Sequence, residues 1–277
     1  MRTRLLLTAL ALVLAASGLV VAGCSSDETA ASGSTSASAQ AVTESVQAIK
    51  DAGVLRVGVK NDVPGLSLQD SATREYEGME VDLAYALAER LGLSKDDVEL
   101  QTVTAATRGQ LLDDGVLDAV IATFTITPER AQQWNFSDPY YQDSVGLLVN
   151  QSSGIDGLAA LDGKKIGVLE AATTRDEVQA AADKAGISVE IVEFPAYADI
   201  QAALESGQVD AFATNKTILA GYTTDGSVVL PDDLAPQDFG IATRKGTDDL
   251  TTLINGMLAE MKANGDLDAL VKKWKLD

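Results

Sequence analysis

The sequence predicts an α/β chain built as two lobes of similar design, and three observations lead there. Short apolar, β-branched segments alternate with segments of helical periodicity, the pattern of a mostly parallel sheet flanked by helices. RVGVK at 56–60 is echoed by KIGVLE at 165–170. DGVLDAVIAT at 114–123 is echoed by SGQVDAFATN at 206–215, with Gly115 and Gly207, Asp118 and Asp210, and Ala119 and Ala211 coinciding. Helix, glycine and apolar strand recur in many such folds, so the echo alone leaves chance open.

The elements follow in order. Arg2 and Arg4 precede an apolar run at 5–16, and small residues then lead to VAGC at 21–24, the layout of an export signal over residues 1–23. The run is short for a membrane span. VAGC looks like a bacterial lipobox, in which Cys24 becomes the first residue and carries diacylglycerol; the plain alternative is an ordinary residue inside a signal peptide. Residues 24–45 then form the lipidated cysteine and a flexible tether rich in Ser, Ala, Gly and Thr.

A lead-in helix over AVTESVQAIKDAG ends at Gly53, and VLRVGVK at 54–60 is a strand. GMEVDLAYALAERLG at 78–92 places Leu83, Leu87 and Leu91 on one helix face. VELQTV is a strand, RGQLLDD a short helix stopped by Gly115, and VLDAVIATF a further strand. SVGLLVNQ at 144–151 and DFGIATRK at 238–245 are extended segments expected to cross between lobes. After them, Leu250, Leu253, Ile254, Met257, Leu258 and Met261 fall at helical spacing, and Leu267, Leu270, Val271 and Trp274 make a last amphipathic helix. Lobe 1 is therefore expected over 50–146 plus 240–277 and lobe 2 over 147–239, with the two crossings as a hinge.

Composition narrows the function. The chain of 277 residues has 46% apolar content, ample for a core, and 41 Asp+Glu against 21 Lys+Arg, a net charge of −20. An exterior this acidic repels phosphate backbones, which argues against nucleic-acid binding. There is no histidine and only one cysteine, so the commonest general base and the usual transition-metal ligands are missing. No metal and no cofactor are expected.

The stretch VIATFTITPER, 120–130, concentrates the chemistry. Ligands of parallel α/β sheets sit at the carboxyl ends of strands. Thr123 and Thr125 fall where the strand leaves the sheet, Thr127 suits an N-cap, and Pro128 suits the first helical position. Arg130 adds a fork of donors fitted to a carboxylate. In lobe 2 the matching point is EAATTRDEV, where Thr173 precedes Thr174 and Glu177 at capping-box spacing. Asn215 is the repeat's counterpart of Thr123. Thr127 and Thr174 read first as helix caps, and Arg130 alone reads equally as a solvated helix arginine; together they describe a two-lobed binder of a small polar anion.

From about residue 50 to 277 the chain resembles the extracellular solute-binding proteins of polar amino acid ABC importers, family 3, with a type II periplasmic-binding-protein-like fold and a two-crossing hinge. GMEVDLAYALAERL fits that family's signature, with Met79 a slight departure, and NFSDPYYQDSVGLLV looks like its segment entering the hinge. TRGQLLDDG, DAVIATFTITPER, AATT, FPAYADI and NKTILAGY together look most like the aspartate/glutamate-binding members.

The resemblance implies roles. Arg130 takes a ligand α-carboxylate, with Thr125 and Thr173 as partner donors. Arg108 takes the side-chain carboxylate, Lys60 lies near the same group, Thr123 lies between the two ends, and Tyr197 is a cleft tyrosine. Asn215 departs from the pattern, standing where the family usually has an aspartate that receives the α-ammonium. Loss of that charge-assisted bond is worth about 1.5–3 kcal/mol, or tens of fold in affinity.

The expected function is lipid-anchored capture of aspartate or glutamate for a membrane permease and its ATPase, by a monomer outside the cytoplasm. Two other readings stand beside it. The same fold includes enzymes that dehydrate cyclohexadienyl acids (arogenate or prephenate) with a cleft carboxylate as general acid, for which Glu170 would be available. A ligand-loaded lobe pair could instead dock on a membrane sensor.

Overall fold

In the computed structural model residues 35–276 are described, with side chains from Glu44 onward; the export signal and Cys24 lie outside the described residues. Leu55, Val57 and Val59 are fully buried along the strand Leu55–Val59, because both faces of this strand are covered. It lies in a five-stranded sheet, between Val98–Thr102 and Ala119–Val120, parallel to both. Ala242–Arg244 and Trp134–Phe136 complete that sheet, with Ala242–Arg244 antiparallel to its neighbours.

The second sheet repeats the plan. Lys165–Leu169 runs between Glu190–Phe194 and Ala211–Asn215, parallel to both, and Tyr141–Asn150 follows antiparallel. The register repeats as well: Val57 faces Ala119 and Gly58 faces Val120 in one sheet, while Ile166 faces Ala211 and Gly167 faces Phe212 in the other. Asp118 accepts the Arg56 N–H at 2.8 Å, and Asp210 accepts the Lys165 N–H at 2.9 Å. A Cβ on Gly58 would stand 2.7 Å from Leu117, and one on Gly167 2.6 Å from Ile200, so the same packing explains both glycines. The sequence echo is thus a structural repeat rather than a coincidence of composition.

The connection between sheets differs in detail from expectation. Tyr141–Asn150 is a ten-residue strand wholly of the second sheet, and it begins ahead of the boundary expected at 146. Ala235–Phe239 pairs antiparallel with its first half, Phe239 facing Tyr141 and Ala235 facing Val145. The chain therefore changes sheets between Phe136 and Tyr141 and again between Phe239 and Ala242, and the two passages are hydrogen-bonded neighbours. Such pairing makes the crossings one ribbon, which can bend but not slide.

The strand expected through VLDAVIATF is only Ala119–Val120. It stops because Thr123 takes a left-handed conformation, φ 46°, which turns the backbone out of the sheet. At the other end of the chain, Asp248–Asn264 packs against the first lobe. Its Asp249 accepts hydrogen bonds from the Val46 N–H, at 2.8 Å, and from the Ser45 hydroxyl. The lead-in helix starts at Thr35, inside the stretch assigned to the tether. One apolar cluster runs from Leu55 and Leu83 through Phe239 to Tyr197 and Phe212, so the two lobes share a continuous buried core at that point.

Gly78 opens the helix Met79–Leu91, which carries Glu80 into the interior. It sits at φ 133°, and a Cβ there would fall 2.1 Å from the Leu66 carbonyl oxygen. Gly78→Ala is expected to cost at least about 2 kcal/mol through strain and clash, a fall in Tm of about 4–8 °C for a chain of this size. Thermal denaturation measures it; an unchanged Tm would show that the helix start relaxes freely.

Candidate functional site

All eight residues singled out from the sequence line one crevice between the sheets: Lys60, Arg108, Thr123, Thr125, Arg130, Thr173, Tyr197 and Asn215. The lobes are drawn together over it, leaving a cavity of only about 10 Å³. Lys60 and Arg108 are each 3% exposed and Asn215 7%, while Arg130 and Thr173 are half-buried. The first lobe supplies five of these side chains, and Thr173, Tyr197 and Asn215 come from the second.

The two arginines are held by backbone carbonyls and by a ring. Arg108 Nη1 donates to the Ala122 carbonyl at 2.6 Å and to the Thr123 carbonyl at 3.2 Å. Arg130 Nη1 donates to the Thr125 carbonyl at 3.0 Å, and its Nη2 reaches across the crevice to the Ala171 carbonyl at 3.4 Å. Thr123 and Ala171 are both left-handed non-glycine residues, at φ 46° and 57°. Each presents its carbonyl to a site guanidinium, so local backbone strain is tied to the site. Phe124, 2% exposed, lies beneath both: the Arg108 Cζ is 3.8 Å and the Arg130 Cζ 5.0 Å from its ring centroid.

Crowding two guanidiniums on one ring has an electrostatic consequence. Burial, and then the charge of Arg130, push the Arg108 pKa down to about 9. Burial lowers that of Arg130 as well. Arg108 still keeps its proton at neutral pH, so the unfavourable surroundings act as a demand for a counter-anion. Among the described residues none of Lys60, Arg108 and Arg130 forms an ion pair with a carboxylate. Arg108 Nε and Asn215 Nδ2 are buried without any acceptor. Lys60 Nζ donates only weakly to the Tyr197 hydroxyl, at 3.4 Å, and lies 4.5 Å from that ring's centroid.

Three residues of the site have no mark in the sequence as ligand groups. Phe124 is the platform just described. Glu80 is fully buried, and its Oε1 accepts from the Thr123 N–H and the Tyr140 hydroxyl, both at 2.6 Å. It thereby pins the left-handed turn. Burial holds the Glu80 carboxyl above the usual range, against those two hydrogen bonds and the nearby Lys60 and Arg108 charges. Gln237, on the returning hinge strand, accepts from Thr125 at 2.8 Å and from Thr173 at 3.0 Å, and donates to Glu177 at 2.8 Å. One amide thus joins the threonines of both lobes.

The caps divide. Thr127 does cap the helix Pro128–Gln133, its hydroxyl accepting from the Arg130 N–H at 3.2 Å, with Pro128 in the first turn. The capping box expected at Thr174 and Glu177 is not formed. Helix Thr174–Ala185 begins at Thr174 after an uncapped Thr173, and Gln237 draws both Thr173 and Glu177 into its own network. Among the described residues no group of three or more His, Cys, Asp or Glu side chains is placed to hold a metal ion.

This geometry is an anion-seeking crevice between two lobes joined by a paired hinge. Residues 55–277 match the bacterial extracellular solute-binding proteins, family 3. The chain belongs to that family. Among its relatives, the ABC transporter glutamine-binding protein GlnH of Bacillus subtilis (strain 168) is 33% identical over 230 residues, 82% of this chain and 83% of that protein. The glutamate-binding protein GluB of Corynebacterium efficiens is 29% identical over 225 residues, 77% of this chain and 76% of that protein. The solved structure of the ancestral amino acid-binding protein AncCDT-1, a precursor of cyclohexadienyl dehydratase, superposes with a TM-score of 0.74. It is 31% identical, with 83% of this chain and 99% of that one covered. Family 3 membership and these likenesses carry the two-lobed periplasmic-binding fold; identity of 33% against 29% does not choose between glutamine and glutamate.

Gln237 gives the site a specific pH signature. Gln237→Glu keeps an acceptor for Thr125 and Thr173 but sets a second carboxyl beside Glu177, whose own carboxyl burial already holds above its ordinary range. A folded-state pKa raised above the unfolded one contributes stability that is complete below the unfolded pKa and is lost as pH rises through the folded value. The variant is therefore expected to match wild-type Tm near pH 4 and to fall below it by several degrees near pH 7. A pH-independent difference would contradict the placement.

Proposed function

We propose that the chain captures a small acidic amino acid, aspartate or glutamate, and delivers it to the permease and ATPase of an ABC importer. Arg130 takes the α-carboxylate with Thr125 and Thr173, and Arg108 with Lys60 takes the side-chain carboxylate. Thr123 and Tyr197 fill the wall between, and Asn215 faces the amine. The observation that carries this is the charge of the wall, three cations and no carboxylate among the crevice residues. The relatives' names supply the class of ligand, glutamine in one and glutamate in another.

The wall's charge favours the acidic choice. A glutamine amide would leave Arg108 and Lys60 facing a neutral group, and their desolvation would go uncompensated. A cationic side chain would add like charge to a buried positive site. Closure of the lobe built on the second sheet onto that built on the first would exchange the ligand's water for these fixed donors. We place the protein outside the cytoplasm as a monomer, held to a membrane through lipidated Cys24. A dehydratase needs a carboxyl general acid at its substrate, and the crevice wall offers hydroxyls, an amide and cations instead.

Titration calorimetry with glutamate, aspartate and glutamine tests the reading. Glutamate or aspartate is expected to bind tightest; preference for glutamine would overturn it. Arg108→Met removes a buried charge but takes the donor from the Ala122 and Thr123 carbonyls, so the ligand-free Tm is expected to fall by a few degrees, while affinity for the acidic ligand falls at least about 100-fold, the scale of a lost buried charge-assisted pair.

A further inference from the structure

The crevice is rich in hydrogen-bond donors and poor in charged acceptors. Lys60, Arg108 and Arg130 point positive charge at it, and Arg108 Nε and Asn215 Nδ2 are buried donors with nothing to receive them. No Asp or Glu lines it. Glu80 stands behind Thr123, outside the lining, with Oε1 occupied by the Thr123 N–H and the Tyr140 hydroxyl and Oε2 buried without a partner, and Glu177 receives the Gln237 amide. The wall therefore offers its donors only neutral acceptors, hydroxyls and an amide oxygen, and no carboxylate before any ligand arrives.

A ligand carboxylate or keto oxygen answers that lack. An α-ammonium does the opposite: it brings three further donors and must exchange its water for neutral hydroxyls, an unfavourable trade for a buried charge. Asn215 occupies the decisive place. It closes the strand Ala211–Asn215, 7% exposed, with the amide nitrogen unpartnered. A carboxylate there would meet an ammonium with full charge; the amide accepts only through a neutral Oδ1 and offers its unpartnered Nδ2 to an oxygen, so the balance moves away from an ammonium.

We propose that this crevice takes dicarboxylates lacking an α-ammonium, the plain or 2-oxo four- and five-carbon diacids, about as tightly as the matching amino acids, and that Asn215 sets this tolerance. The proposal rests on the two-carboxylate reading of the site.

Calorimetric titration of the whole protein with glutamate, glutarate and 2-oxoglutarate, for wild type and for Asn215→Asp, tests it. In wild type at least one of the two diacids is expected to bind no more than threefold weaker than glutamate, and Asn215→Asp is expected to shift the ratio toward glutamate at least fivefold. A wild-type preference for glutamate above threefold over both diacids, or a smaller shift in the variant, overturns this inference and leaves the acidic amino acid reading standing. Failure of all three ligands to bind overturns the two-carboxylate reading itself. Should Asn215→Asp not fold, the wild-type ratio decides.

Discussion

The burial of two guanidiniums on the ring of Phe124 is the constraint around which the crevice is organised. Arg108 and Arg130 are each fixed by carbonyls that the chain presents only because it leaves the sheet early, at Thr123, and turns sharply again at Ala171. Glu80 secures the first turn from behind, and Gly78 allows the helix that carries Glu80 to start against Leu66. A site with this much positive charge and so little compensation is unstable as an empty object. An anion bound there would add to the stability of the folded state.

The hinge belongs to the same arrangement. Its two strands are hydrogen-bonded to each other from Tyr141 to Val145, and the returning strand carries Gln237 into contact with Thr125 and Thr173. Opening the lobes must break one or both of those hydroxyl contacts and the long reach of Arg130 to the Ala171 carbonyl. The closed form is thus held by apolar contact between the lobes, by neutral hydrogen bonds worth about 0.5–1.5 kcal/mol each, and by one charge-assisted bond from Arg130. Bonds of that size are easily exchanged, so a ligand bridging both arginines can bias the equilibrium strongly.

Much of this was legible in the sequence because it is periodic or local. The echo of RVGVK in KIGVLE and of DGVLDAVIAT in SGQVDAFATN reappears as identical strand register, with Asp118 and Asp210 capping equivalent strands. The cluster of hydroxyls and arginine at 120–130 does line the crevice. Arg108, Lys60 and Tyr197 have no local signature of that kind; resemblance to a family, not spacing, pointed to them. Glu80, Phe124 and Gln237 were missed because their roles exist only after folding: Gln237 lies 112 residues from Thr125 along the chain. The early end of the strand at Val120 was missed for a related reason. Its apolar residues continue through Phe124, but a left-handed residue and a buried carboxylate redirect the backbone. Thr174 and Glu177 have the spacing of a capping box, yet a long-range partner for Glu177 outcompetes the local one.

A crystal structure of the protein grown with glutamate addresses the central claim most directly. The account places one ligand carboxylate within hydrogen-bonding distance of Arg108 Nε and the other on the guanidinium of Arg130, with the crevice closed over them. Glutamate bound outside the crevice, or bound with both carboxylates turned away from these two arginines, would contradict it.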